Sequence, residues 1–165
     1  MEDVSAEEFS FAYGKLEIEV QAKSSAEKLW AAFKDSSNLF PKFFPNHIKS
    51  IEVLQGDGYT VGSIRLIKYA QGTPMMTFGK EKLEVADEEK KVISYRVIDG
   101  ELTRYYKSYT ATLQVVPKSS DGEEGCWLKW RVDFDKASEE VHDPILLLEY
   151  AARTFNRLDA LLLNT

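Results

Sequence analysis

The chain has 165 residues, enough for one well-filled core and few for two. Its net charge of -6 excludes the basic footprint that a sequence-independent nucleic-acid binder needs. A 44% hydrophobic and 29% charged composition is ordinary for a globular domain.

The first ten residues, Met1 to Ser10, are acidic and lack the basic flank and apolar run of a secretory signal. They read as a flexible N-terminal stretch of a single domain over 1–165. The lone cysteine, Cys126, can close no internal disulfide, which suits a reducing, cytoplasmic setting. No apolar stretch approaches the roughly 20 residues that span a bilayer. The nearest, Pro144 to Ala152, is interrupted by Glu149.

Phe9 to Ala22 alternates in part, with Leu16, Ile18 and Val20 set against Lys15, Glu17, Glu19 and Gln21, and predicts a strand with one buried face. Ser24 to Glu27 reads as a capping box with Ser24 as N-cap, opening a short helix through Leu29, Trp30 and Phe33. Asn38 to Pro45 is aromatic and predicts a second short helix that breaks at Pro45.

Six strand-like segments follow, at about 48–54, 63–70, 75–86, 92–98, 104–116 and 126–134. Turn residues separate them, among them Gln71 to Pro74, Asp87 to Lys90, Asp99-Gly100 and Ser119 to Gly125. Short connections predict an antiparallel meander. The period then switches. Asp143-Pro144 predicts an N-cap followed by proline at the first helical position, and Ile145, Leu148, Ala152, Phe155 and Leu162 share one stripe. A seven-stranded sheet with one long helix packs by curling the sheet around the helix.

The segment Gly56-Asp57-Gly58-Tyr59-Thr60-Val61-Gly62-Ser63-Ile64 lies between two strands. A glycine-rich loop binds phosphate where it opens a helix. This one opens a strand, so it reads as a tight β-turn. It also resembles the β2–β3 loop of plant major latex proteins in the birch-pollen-allergen superfamily. The resemblance runs from about Tyr13 to Leu163. It is extended by Ile48 to Leu54, Val97 to Leu102, Tyr106 to Tyr109, Val115 to Lys118, Leu128 to Trp130 and Asp143-Pro144.

The resemblance implies an α+β, helix-grip (START-like) fold enclosing a large apolar cavity for hydrophobic or amphipathic small molecules, in plant proteins linked to defence and stress. It places Arg65, Ile67 and Tyr69 on the inward face of the third strand, and Ile93, Tyr95 and Val97 on that of the fifth. With Met76, Phe78, Tyr105, Tyr109, Leu148, Ala152 and Phe155 these form the expected cavity wall. Each aromatic among them fits plain core packing equally well, but several inward tyrosines together favour a cavity, since a buried phenol needs a partner for its hydroxyl. Arg65 could grip a ligand carboxylate or phosphate, or reach solvent at its strand end. Alternation sends Glu81 to the face opposite Lys80 and Lys82, with a solvated face the default reading, and Lys107 is ambiguous among Tyr105, Tyr106 and Tyr109.

No metal or cofactor is expected. His47 and His142 sit in no ligand-spaced motif, and no serine sits in a nucleophile elbow. Cys126, beside Trp127 in a strand, reads as buried packing. The expected role is a monomeric carrier of a fatty acid, sterol-like compound, flavonoid or hormone-like molecule, without membrane insertion.

One alternative is a cavity enzyme doing cyclase- or isomerase-type proton transfer. Norcoclaurine synthases resemble this fold and use a tyrosine, a glutamate, a lysine and an aspartate. Glu81 matches the glutamate, while Gly79, Ile93 and about Ala111 stand at the other positions. A second alternative is a receptor-like module. The gate and latch of abscisic acid receptors correspond to Gln71 to Met75 and Gly100 to Thr103, where neither motif is present.

Overall fold

The computed structural model describes residues 13–73, 75–119 and 124–164. The expected flexible stretch 1–10, the start of the first predicted strand, Pro74 and residues 120–123 of the predicted Ser119–Gly125 turn lie outside them.

Strand β1 is Tyr13–Ala22, and its alternation is the one read above: Val20 and Ala22 are buried, Lys15, Glu17, Glu19 and Gln21 exposed. The turn after it differs from expectation at the cap. Ser25, not Ser24, caps α1 (Ala26–Lys34), its Oγ accepting from the Lys28 amide at 3.2 Å. Ser24 is engaged by Asp159 instead. The Asp159 carboxylate accepts from the Lys23 amide at 2.9 Å and the Ser24 amide at 2.8 Å, across 136 and 135 residues of sequence. Helix α1 buries Leu29, Trp30 and Phe33. Helix α2, Ser36–Phe43, stops two residues before Pro45 and tolerates Pro41 within it.

The meander is β2 (Ile48–Gln55), β3 (Ile64–Tyr69), β4 (Phe78–Asp87), β5 (Val92–Gly100), β6 (Tyr106–Pro117) and β7 (Cys126–Lys136). With β1 they form one antiparallel sheet in the order β1-β7-β6-β5-β4-β3-β2. Register shifts between Lys80 and Glu81, and between Leu83 and Val85, bend β4.

Two expected strand starts are corrected. Residues 75–77 are not strand, Met75 having a φ of 64°. Residues 104–105 belong to a helical turn, α3 (Leu102–Tyr105). The predicted Asp99-Gly100 turn is the end of β5. Gly100 has φ 110°, and a Cβ there would lie 2.4 Å from the Phe78 carbonyl oxygen, so only glycine fits that junction.

The glycine loop is a longer connection, 56–63, than the single tight β-turn expected, with an Asp57 side-chain turn followed by a Thr60–Ser63 turn. Gly56, Gly58 and Gly62 all take positive φ, and the Asp57 carboxylate accepts from the Tyr59 and Thr60 amides at 2.9 Å each. These bonds, the Tyr59 amide foremost, hold its pKa below the usual carboxylate value.

Helix α4, Ile145–Leu163, lies in the curl of the sheet. Its start corrects the predicted cap. Pro144 is the N-cap, and the Asp143 side chain turns away to Lys136 Nζ at 2.6 Å. Its apolar residues join two clusters. One, around Phe155, Leu158 and Leu162, packs on α1 and the sheet. The other, around Leu147 and Leu148, packs on Leu102, Tyr106, Val132 and Phe134.

Candidate ligand cavity

Between these two clusters the sheet and α4 do not close completely. A cavity of about 180 Å³ remains, walled by Leu113 and Phe155 from the first cluster and by Leu102, Ala111 and Leu147 from the second. Pockets for drug-sized ligands run to about 300–1,000 Å³. A small ring compound therefore fits the space as it stands, and a larger ligand requires the wall to move. A second depression, of about 490 Å³, lies outside, where Leu66, Lys68, Phe78 and Lys80 line the opposite face of β3 and β4. It is an open surface groove, whereas the inner cavity is walled by apolar side chains and ends in a polar group.

That polar end is built by two neighbouring strands. Arg65 on β3 and Glu81 on β4 are direct cross-strand partners, so both side chains leave the same face of the sheet. The guanidinium is buried, 6% exposed, and Nη2 donates to Glu81 Oε1 at 2.9 Å. Its Nη1 donates to the hydroxyls of Ser36 at 2.7 Å and Ser37 at 3.2 Å, and its plane lies 4.7 Å from the Tyr95 ring centre. Burial works against its charge, but Tyr95 and Glu81 more than offset this and its pKa is raised. Two polar atoms in the wall find no hydrogen-bond partner among the described residues: Arg65 Nε and the Tyr150 hydroxyl. Burial also raises the pKa of Tyr69, Tyr95 and Tyr109, which stay protonated at neutral pH.

The cavity brings together Arg65, Ile67, Tyr69, Met76, Tyr95, Val97, Tyr109 and Phe155 of the expected wall. Five expected residues lie elsewhere. Phe78 sits opposite Lys68 in register and faces the outer groove. Tyr105 is 43% exposed because α3 intervenes before the strand starts. Ile93 points inward but is consumed in close packing beside Leu83 and Leu113. Leu148 packs in the second cluster and Ala152 against the first, neither on the cavity.

The helix stripe was rotated in the expectation. Ile145 is 56% exposed, and the face lining the cavity is Leu147, Tyr150, Ala151, Thr154 and Phe155. Four consecutive apolar residues, Ile145 to Leu148, leave the phase open to sequence reading. Arg65, expected either to reach solvent or to await an anion, does neither.

At one end of the cavity Glu101 fastens two connections together. Its carboxylate accepts from the amides of Thr77 at 2.9 Å and Phe78 at 3.2 Å, and from the Thr77 hydroxyl. The wall residues Met76 and Leu102 flank these contacts. The Thr77 hydroxyl first, and then the amides, hold the Glu101 pKa at about 2, below its ordinary 4.5. A folded pKa below the unfolded one gives stabilisation that is present above about pH 4.5 and lost as pH falls toward 2. Amide exchange at Thr77 and Phe78, corrected for its intrinsic pH dependence, is therefore expected to accelerate over that window. In Glu101→Gln the acceleration is expected to be absent. An unchanged profile in the variant would show that Glu101 is not the latch.

A curved sheet gripping a long helix around a largely apolar, partly open cavity defines a helix-grip protein. Residues 12–165 match the pathogenesis-related protein Bet v 1 family, and the chain belongs to that family, in its major latex protein-like branch. It is 46% identical over 151 residues to MLP-like protein 423 of Arabidopsis thaliana, covering 92% of this chain and 95% of that protein. Among solved structures it resembles ginseng major latex-like protein 151 from Panax ginseng, with TM-score 0.81, 26% identity, and 90% and 97% of the two chains covered. It also shares its fold with norcoclaurine synthase from Thalictrum flavum, with TM-score 0.74, 23% identity, and 92% and 87% covered.

Among the described residues no group of His, Cys, Asp and Glu could hold a metal, and no helix is long and apolar enough to cross a membrane. Cys126 is buried and free, its thiol pushed up to about 11 by burial, which makes it unreactive.

Proposed function

We propose that the protein carries or sequesters a hydrophobic or amphipathic small molecule in this cavity, as a cytoplasmic monomer acting in plant defence or stress response. The observation that carries the reading is the largely apolar, partly open space between sheet and α4, with a polar cluster at one end. A one- or two-ring compound suits about 180 Å³ best. A flavonoid, fatty acid or sterol-like ligand needs the wall to move. Enzymatic proton transfer at Glu81 is less well supported. That carboxylate is held by Arg65, and Gly79, Ile93 and Ala111 offer no acid or base beside it.

The test is binding of an apolar fluorescent probe to the folded protein, displaced stoichiometrically by ring compounds, with hydrogen exchange followed in parallel. Amides from Leu147 to Phe155, on the wall formed by α4, are expected to be slowed by ligand, because a bound molecule supplies contact atoms that the space lacks. Probe binding with no change in those amides would place the ligand elsewhere. No binding of any probe would remove the carrier reading.

A further inference from the structure

The outer groove over β3 and β4 joins apolar and cationic side chains on one face. In register, Lys80 stands opposite Leu66 and Lys68 opposite Phe78, so two ammonium groups and two apolar side chains alternate as the corners of a square. Diagonal neighbours on a sheet lie about 7–8 Å apart, within reach of side chains as long as lysine. Leu66 and Phe78 are half-buried and form the floor, which the exposed Leu54 extends on β2. Lys49 brings a third ammonium group from the same strand. None of the three lysines has an ion pair among the described residues. The wall holds one carboxylate, Asp99, opposite Lys80, and its Oδ1 accepts from the Gly100 amide at 2.8 Å. Glu52, opposite Leu66 on β2, is exposed and lies outside the wall. Three cations to one anion is the reverse of a chain whose net charge is -6.

We propose that this groove is a second binding site, for a small amphipathic anion whose acid group sits between Lys68 and Lys80 while its apolar body lies on Leu66 and Phe78. The lysines set the sign of the ligand, and the floor rewards an apolar body by removing it and the two side chains from water. The groove measures about 490 Å³, inside the range of roughly 300–1,000 Å³ for small-molecule sites. Its apolar side chains lie between the lysines as a floor. A bilayer surface instead takes up apolar side chains that project into it, so the shape favours a soluble molecule. The site is separate from the inner cavity, because the sheet stands between them, and it does not rest on the carrier reading.

The test titrates 4-phenylbutyrate, 4-phenyl-1-butanol and 4-phenylbutylamine into the full chain near pH 7: one skeleton as an anion, a neutral molecule and a cation. Methyl NMR shifts locate the binding, since Leu54 and Leu66 line the groove while Leu102 and Leu113 line the inner cavity. The acid is expected to move the Leu54 and Leu66 methyls and to bind there about fivefold more tightly than the alcohol at low salt, the worth of two surface charge contacts. The amine is expected to bind weakest. The advantage of the acid should fade toward 1 M salt, where screening reaches down to about 3 Å. Lys68→Gln with Lys80→Gln, neither residue being buried, is expected to remove that advantage and leave the affinity of the alcohol unchanged.

Equal affinity for acid and alcohol in the groove would overturn the proposal, as would an advantage that survives the double substitution. Shifts confined to Leu102 and Leu113 would also overturn it, and would support the inner cavity. Capture of the chain by anionic phospholipid vesicles through the same lysines, without binding of 4-phenylbutyrate, would make the groove a membrane-contact face and overturn it too.

Discussion

An Asp159→Ala variant is expected to melt roughly 6–12 °C below the wild type, although Asp159 lies in the second half of a helix and far from the cavity. Its carboxylate is 8% exposed and accepts two backbone amides, Lys23 and Ser24, at 2.9 and 2.8 Å. Hydrogen bonds to a charged acceptor contribute about 1.5–3 kcal/mol each, and the two are not independent, so about 3 kcal/mol is the expected loss. For a chain of this size each kcal/mol shifts the melting temperature by about 2–4 °C.

The position of the clamp explains the size of the effect. It ties the β1–α1 turn to α4, and on the same side Lys28 Nζ donates to the Leu162 carbonyl at 2.8 Å. Asp159→Asn should fall between, since its amide can accept one of the two N–H groups but turns a donor toward the other. Thermal melts of both variants check the point. If Asp159→Ala melts within about 2 °C of the wild type, the clamp does not hold the helix in place.

Why this residue was not legible in the sequence is instructive. An aspartate among Arg157, Leu158 and Ala160 reads as a solvated helix position, and its partners are backbone amides 136 and 135 residues away, which carry no sequence signature. The same limit shifted the cap from Ser25 to Ser24: two adjacent serines offer the same hydroxyl, and tertiary engagement of Ser24 by Asp159 decides between them.

What the sequence did convey was period. Alternation in β1 and the run of six strand-like segments separated by turn residues predicted the order and sense of the sheet. The alternation around Glu81 set it opposite Lys80 and Lys82 but favoured a solvated face, and only pairing with Arg65 on β3 shows that its face is the inner one. The phase of α4 was lost because Ile145 to Leu148 are all apolar, so no polar residue marks the outer side. Phe78 was placed inward on the strength of its ring, whereas the register with β3 gives its position to the face of Lys68 and Lys80. Helix α3 spans four residues, too few to show a helical period, and its presence moved Tyr105 out to solvent. For Arg65 the residue type was informative but its partner was not. Pairing of β3 with β4 brings Glu81 to it, and sequence alternation alone does not fix which residue of one strand faces which residue of the next.

The buried pair yields the second large effect. Glu81→Ala alone is expected to cost about 3–5 kcal/mol, because it strands a guanidinium in an apolar wall. The double substitution Arg65→Leu with Glu81→Leu is expected to recover most of that loss, to within about 1 kcal/mol of the wild type, since apolar residues of similar volume replace ion pairs at little net cost. Chemical denaturation of the single and double variants measures both quantities in one cycle. A single variant as stable as the wild type would mean that water reaches Arg65. A double variant as unstable as the single would make the pair a structural necessity. With the expected result, the fold does not require the pair.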